Sequence, residues 1–218
     1  MNSISTCRLC EIVKTPLQKR KVQDTLLVQT TNFEWIPGLG AFVEGYTLIV
    51  SKQHTLNTGA LDRPVIQELA AFITQVRAIL KKIYCIDTVV CEHGSMGGSL
   101  HGGCCVEHQH LQIFPVDIRY IPQSLIRNFK NQREISSIED LIELNNNRIP
   151  YIYYSSGSGK NKVFETPIVT RQYLRQIMAA ELKLGHIWDW REYPFEENIT
   201  TFIKKIKPLI KHEGFKTN

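Results

Sequence analysis

Apolar residues recur at helical spacing between residues 64 and 84. Val65, Leu69, Phe72, Ile73, Val76, Leu80 and Ile83 share one face and predict an amphipathic helix over Pro64–Tyr84, with Asp62 as its N-cap. Short runs at Thr25–Thr30, Tyr46–Ser51 and Thr88–Cys91 predict strands. A further strand is expected through His108–Ile113. Side chains alternate along a strand, so His108, His110 and Gln112 are expected on one face, with Leu111 and Ile113 turned into a core. Beyond Pro115 the pattern predicts short helices over Ser124–Lys130 and Ser137–Asn145. A strand over Pro150–Ser155 is expected to pair through a Ser- and Gly-rich turn with Val163–Glu165. Two later helices are expected: Thr170–Leu184, capped by Thr170 and stopped by Gly185, and Phe195–Lys211, broken or bent near Pro208. With no repeat and no Pro- or Gly-rich linker, the expectation is a single domain over residues 1–218, with a core at about 7–115 and an extension at about 116–218.

Composition narrows the class. The chain has 218 residues and a formal charge of +5, and no apolar run long enough to span a bilayer. Its polar start lacks a signal-peptide core. Six cysteines in a chain this long do not read as a disulfide framework, so a reducing cytoplasm is expected. Basic residues gather at 14–21 and 204–216, either as solvated surface or as an attraction for a polyanionic substrate. No specific nucleic-acid partner is expected.

Three groups of residues carry chemistry. Two imidazoles and an amide on one strand face can act on phosphorus. His serves as nucleophile, acid/base or metal ligand near neutral pH, whereas Gln only donates and accepts hydrogen bonds. Ahead of that strand, Glu92–Gly103 holds five glycines in twelve residues, which lets backbone N–H groups turn towards an anion. The Cys7-x2-Cys10 pair presents two thiolates from one turn. That is half of a tetrahedral zinc site, or else two ordinary buried thiols. The Gly-Ser-Gly-Lys string at residues 157–160 has the wrong spacing for a Walker loop.

His108-Gln109-His110-Leu111-Gln112-Ile113 resembles the histidine-triad (HIT) superfamily in its His-x-His-x-Gln branch. That branch includes dinucleoside tetraphosphate phosphorylases and galactose-1-phosphate uridylyltransferases, and this stretch is more similar to the phosphorylase version. Gly45–His54, which ends in Lys-x-His, resembles the preceding strand of the same superfamily. The order strand, strand, helix, strand, glycine loop, histidine strand also matches, over roughly Cys7 to Pro115. The resemblance implies an α+β fold, a HIT-like antiparallel sheet with helices packed on it, here with a C-terminal elaboration. It also implies a structural zinc held by Cys7, Cys10, His54 and His108, and a two-fold homodimer. Ile149–Tyr154 and Ile187–Phe195 are apolar segments that either line such an axis or cover the chain's own core, in which case the C-terminal half could stand in for a second subunit. The chain departs from its relatives at Cys105, where a Ser or Gln is usual, at Glu92-His93, where an Asn is usual, and in a longer stretch between Pro37 and Gly45.

From these residues the expected chemistry is attack on a nucleotide phosphorus by His110, with His108 on zinc or orienting it. Gln112 and the backbone of Gly102, Gly103, Cys104, Cys105 and Val106 are expected to hold the phosphoryl oxygens, with His93 near them. His101 is either a proton donor to the leaving group or an exposed loop residue. Glu34 is a candidate for a ribose hydroxyl, as an acidic residue near this point is in relatives. Trp35 or the Trp188–Trp190 cluster is a candidate to stack on a base, or else packs a core or a dimer contact. Three function classes follow: a nucleotidyltransferase or phosphorylase, a hydrolase of nucleoside phosphoramidates or dinucleoside polyphosphates, and a zinc-stabilised binding protein without catalysis.

Overall fold

The computed structural model describes residues 7–97, 106–166 and 169–212. Eight strands form one antiparallel sheet: β1 (Val28–Gln29), β2 (Phe33–Pro37), β3 (Thr47–Ser51), β4 (Thr88–Gly94), β5 (His110–Pro115), β6 (Gln132–Glu134), β7 (Tyr151–Ser155) and β8 (Asn161–Glu165). Their spatial order is β1-β2-β3-β5-β4-β7-β8-β6. The sheet therefore runs unbroken from the histidine-bearing half into the C-terminal half, through the pairing of β4 with β7.

The helix expected from residue 64 is α2 (Arg63–Tyr84), and it buries Ile66, Leu69, Phe72, Ile73, Val76, Ile79 and Leu80. Asp62 sits at its N-cap position but makes no side-chain cap bond. Helix α6 (Glu196–His212) continues through Pro208 rather than ending there, and its Phe202 meets Trp35 edge-on at 6.3 Å. On the opposite face of the sheet lies α1 (Arg8–Lys14), whose Leu9 and Ile12 pack on Ile36 of β2 and Val50 of β3. Two short helices, α3 (Gln123–Asn128) and α4 (Leu141–Asn146), precede β7.

Several elements differ from the sequence reading. β2, β6 and α1 were not read from the pattern. All five residues of β2 are buried, so it shows no polar–apolar alternation. Helix α5 (Tyr173–Glu181) is shorter than Thr170–Leu184, and its N-cap is Gln172, in the left-handed region, not Thr170. The histidine strand starts at His110, so His108 lies in the turn before it. The two segments offered for a dimer axis are used within the chain. Ile149–Tyr154 contributes the fully buried Tyr151, Ile152 and Tyr154, and Ile187–Phe195 flanks the site described below. No helix among the described residues is long and apolar enough to cross a membrane.

Candidate functional site

Four side chains from three parts of the chain converge under α1. Cys7 immediately precedes this helix and Cys10 lies in its first turn. His54 follows β3, and His108 occupies the turn before β5. Their ligand atoms all lie within 4.8 Å of one another. The His108 Nδ1 is 3.4 Å from both sulfurs and 3.2 Å from His54 Nδ1, which is itself 3.2 Å from Cys10 Sγ. A tetrahedron with metal–sulfur bonds of about 2.3 Å and metal–nitrogen bonds of about 2.0 Å has edges of roughly 3.3–3.8 Å, which these spacings approach. The far nitrogen of His108 lies 2.7 Å from the Ser51 carbonyl oxygen. A carbonyl only accepts, so Nε2 carries the proton and Nδ1 keeps its lone pair for a metal. The donor set and its supporting hydrogen bond thus suit a closed metal site.

His110 and Gln112 face a separate cavity of about 290 Å³. Leu111 and Ile113 turn the other way into the fully buried core, as the alternation requires. The His110 Nδ1 donates to the His108 carbonyl oxygen at 2.7 Å, so Nε2 bears the free lone pair. Burial, partly offset by that hydrogen bond, holds the His110 imidazole below the usual histidine range and so favours its neutral form. Gln112 accepts from the Tyr46 hydroxyl through Oε1 at 3.1 Å, which makes its amide NH2 the group available as a donor. Tyr46 in turn stacks on Phe114, with ring centroids 4.5 Å apart, so the support is rigid. A neutral nucleophile beside a fixed donor can form a bond to phosphorus while stabilising charge on a phosphoryl oxygen.

Of the other expected site residues, Val106 lines this cavity. His101, Gly102, Gly103, Cys104 and Cys105 lie outside the described residues. His93 is on β4, on the same face as Cys91, but does not line the cavity. Two expectations are corrected. Trp35 pairs in register with Ile49 and points towards α6, away from the cavity, and it is fully buried. Glu34 faces the other way from Trp35, but both its oxygens are taken by Arg20, at 2.7 and 3.1 Å. Glu34 is held in this buried pair and is not among the cavity-lining residues. Of the tryptophan cluster, Trp190 lines the cavity and Trp188 does not.

Neither a protein-family model nor a curated protein matches the sequence. Solved structures are similar. A hypothetical histidine triad nucleotide-binding protein of Sulfolobus tokodaii is 23% identical with a TM-score of 0.41, covering 50% of this chain and 68% of its own. A HIT family protein of Bacillus anthracis is 16% identical with a TM-score of 0.41, covering 51% and 73%. Yeast Ap4A phosphorylase, in complex with Ap4A, is 14% identical with a TM-score of 0.36, and the match covers 62% of this chain and 57% of the yeast chain. A zinc-bound histidine triad family protein of Mycobacterium smegmatis is 19% identical with a TM-score of 0.34, covering 50% and 74%.

Sequence reasoning missed the residues that the C-terminal half brings to the cavity, notably Arg175 and Gln172. Arg175 carried one usable signal: it stands among Leu174, Ile177 and Met178 on the buried side of α5, where a charge needs a dedicated partner. It donates to the carbonyl oxygens of Trp188 at 2.7 Å and Gly40 at 2.6 Å. Glu92, on the α2 side of the sheet, is also fully enclosed. Its Oε1 accepts from the Thr58 N–H and hydroxyl and its Oε2 from the Tyr151 hydroxyl, yet burial raises its carboxyl to about 7. A carboxyl whose folded value exceeds its unfolded one favours the fold when protonated. Stability should therefore fall as pH rises from about 4.5 to 7, by about 3 kcal/mol, and then level off. Chemical denaturation at pH 5 and pH 8 checks this: Glu92→Gln is expected to remove most of that difference, and an unchanged difference would assign it to other groups.

Proposed function

We propose that the chain is a nucleotidyltransferase or phosphorylase that opens a nucleotide phosphoanhydride or phosphoester through a covalent nucleotidyl-His110 intermediate. The observation that carries this reading is the His110 Nδ1–H bond to the His108 carbonyl, which leaves Nε2 unprotonated in the cavity without the help of a base. The Nε2–P bond forms as the P–O bond to the leaving group breaks, and the leaving oxygen departs with the bonding pair. Nδ1 keeps its proton on the carbonyl throughout. An anionic acceptor oxygen, which has no proton to lose, then attacks phosphorus, and the P–N bond breaks with its pair returning to Nε2 to restore the neutral imidazole. The Gln112 amide is aimed to donate to a phosphoryl oxygen in both steps. Because an amide cannot shuttle a proton, water is a poor second acceptor, and phosphate or a sugar phosphate is favoured.

Zinc is the proposed metal at Cys7, Cys10, His54 and His108, where it would tie α1 to the histidine turn. His108 couples the two sites: its ring belongs to the metal cluster and its carbonyl holds His110. One domain, a cytoplasmic location and a homodimer remain part of the proposal. The dimer interface would have to lie outside Ile149–Tyr154, which is spent on the chain's own sheet.

The direct test is incubation with α-phosphate-labelled nucleotide donors, Ap4A first, followed by an acid quench. Acid-labile label on the protein is expected, with free mononucleotide appearing slowly until phosphate or another acceptor is added. Immediate release of mononucleotide without acceptor would make the protein a hydrolase. Binding without label or turnover would make it a zinc-stabilised binding protein. Gln112→His should shift the partition towards water, since it restores a side chain able to carry a proton. If the ratio of hydrolysis to transfer does not move, Gln112 does not set the outcome.

A further inference from the structure

Part of the wall of the His110 cavity comes from residues 172–191 and is braced from several sides. Gln172 adopts φ +54°, a conformation that side-chain-bearing residues seldom hold unless their surroundings impose it. Its amide donates to Asp189 Oδ1 at 2.8 Å, and its carbonyl oxygen accepts from the Trp190 N–H at 3.2 Å. Asp189 also accepts from Arg171 at 2.9 Å and from the Arg191 N–H at 3.0 Å. From the other side, Gly40, at φ +71°, presses on this turn so closely that a Cβ there would lie 2.3 Å from the Trp190 Cβ. These contacts fix one thing in the cavity wall, the position of Trp190.

Two guanidinium groups lie over the Trp190 ring. Arg191 is 5.0 Å and Arg8 5.8 Å from its centroid, and all three residues line the cavity. Stacking on an aromatic ring holds an arginine fork in place while leaving its N–H edge free to meet an anion. Arg8 is shared with Asp24 at 3.0 Å, whereas Arg191 makes no ion pair among the described residues. Three arginines (Arg8, Arg175 and Arg191) and one carboxylate (Asp24) line the cavity, which is thus cationic by two charges beyond what Asp24 offsets.

We propose that Trp190, Arg8 and Arg191 form a second subsite that takes the anionic part of the substrate beyond the reacting phosphorus: the further phosphates of a leaving group or acceptor. This rests on the reading of His110 given above. It makes Trp190 and Arg191 the residues that select a nucleotide carrying additional phosphates over a mononucleotide. Both come from the same chain as His110.

The test is equilibrium binding to the full-length His110→Asn protein, in which the covalent step is blocked. The probes are AMP and diadenosine tetraphosphate, with their guanine counterparts in parallel. The parent should bind the tetraphosphate more tightly than the monophosphate. Adding Arg191→Gln, an exposed position that should not disturb folding, is expected to weaken tetraphosphate binding about tenfold and to flatten its salt dependence, leaving the monophosphate within about twofold. Trp190→Ala should act in the same direction and Trp190→Phe should recover most of the loss. An equal loss for both probes, or no loss for either, would overturn the subsite while leaving the nucleotide reading intact. A parent protein that binds none of the four probes would overturn the nucleotide reading and the subsite with it.

Discussion

His110→Ala is expected to lower turnover by at least about 10⁴-fold while leaving the fold in place. The size of the effect follows from the role: no other described imidazole lines the cavity with an unprotonated nitrogen, and Gln112 has no nucleophilic atom to substitute. The fold should survive because His110 opens β5 at its partly exposed end, and its hydrogen bond runs only to the carbonyl two residues earlier. Neighbouring Leu111 and Ile113 supply the core contacts, and the substitution leaves them untouched. His110→Asn should behave alike and should take up no acid-labile label. Circular dichroism and a thermal melt establish that the variants are folded, and single-turnover assays read the chemistry. A folded His110→Ala protein with near wild-type activity would remove the covalent mechanism.

The second large effect concerns the metal. Purified protein is expected to carry about one zinc per chain, and Cys7→Ser or Cys10→Ser should lose it together with several kcal/mol of stability. A metal held by residues from the start of α1, the segment after β3 and the turn before β5 would act as a cross-link between parts of the chain as far as 101 positions apart. Without it, α1 is held by a small apolar cluster centred on Leu9, Ile12, Ile36 and Val50. The rate per folded molecule should change less than the stability, because the cavity that His110 lines holds neither cysteine. The loss should also exceed that of an ordinary buried-thiol substitution such as Cys91→Ser, which removes no ligand. Elemental analysis finding no metal, together with stability and activity indifferent to a strong chelator, would end this proposal.

Two parts of the molecule were legible in the sequence for physical reasons that are local. Helix α2 was readable because burial of one face imposes a 3.6-residue period; its cap chemistry differed, and Ile66 and Ile79 are buried while Val65 and Ile83 are only partly so. The inward turn of Leu111 and Ile113, with His110 and Gln112 facing the cavity, was readable because strand geometry alternates side chains whatever surrounds them. The four residues of the metal cluster were named through their resemblance to the HIT pattern, and their convergence is a property of the folded chain.

Tertiary structure decided the rest. β2 has both faces buried, so the alternation that betrays a half-exposed strand is missing from Phe33–Pro37. Whether Glu34 or Trp35 meets the cavity depends on the parity of that strand, which is set by its register against Ile49 and Val50 and not by either residue's chemistry. Trp35 fell on the α6 side and Glu34 was claimed by Arg20. The sequence by itself determined which residues could do chemistry on phosphorus or hold a metal, because that depends on side-chain type and short spacing. What stands across the cavity from His110 was decided only by folding. Arg175, Trp190 and Arg191 lie more than sixty positions away along the chain, and they arrive because β7 extends the sheet from β4 and carries the C-terminal half back over the same face.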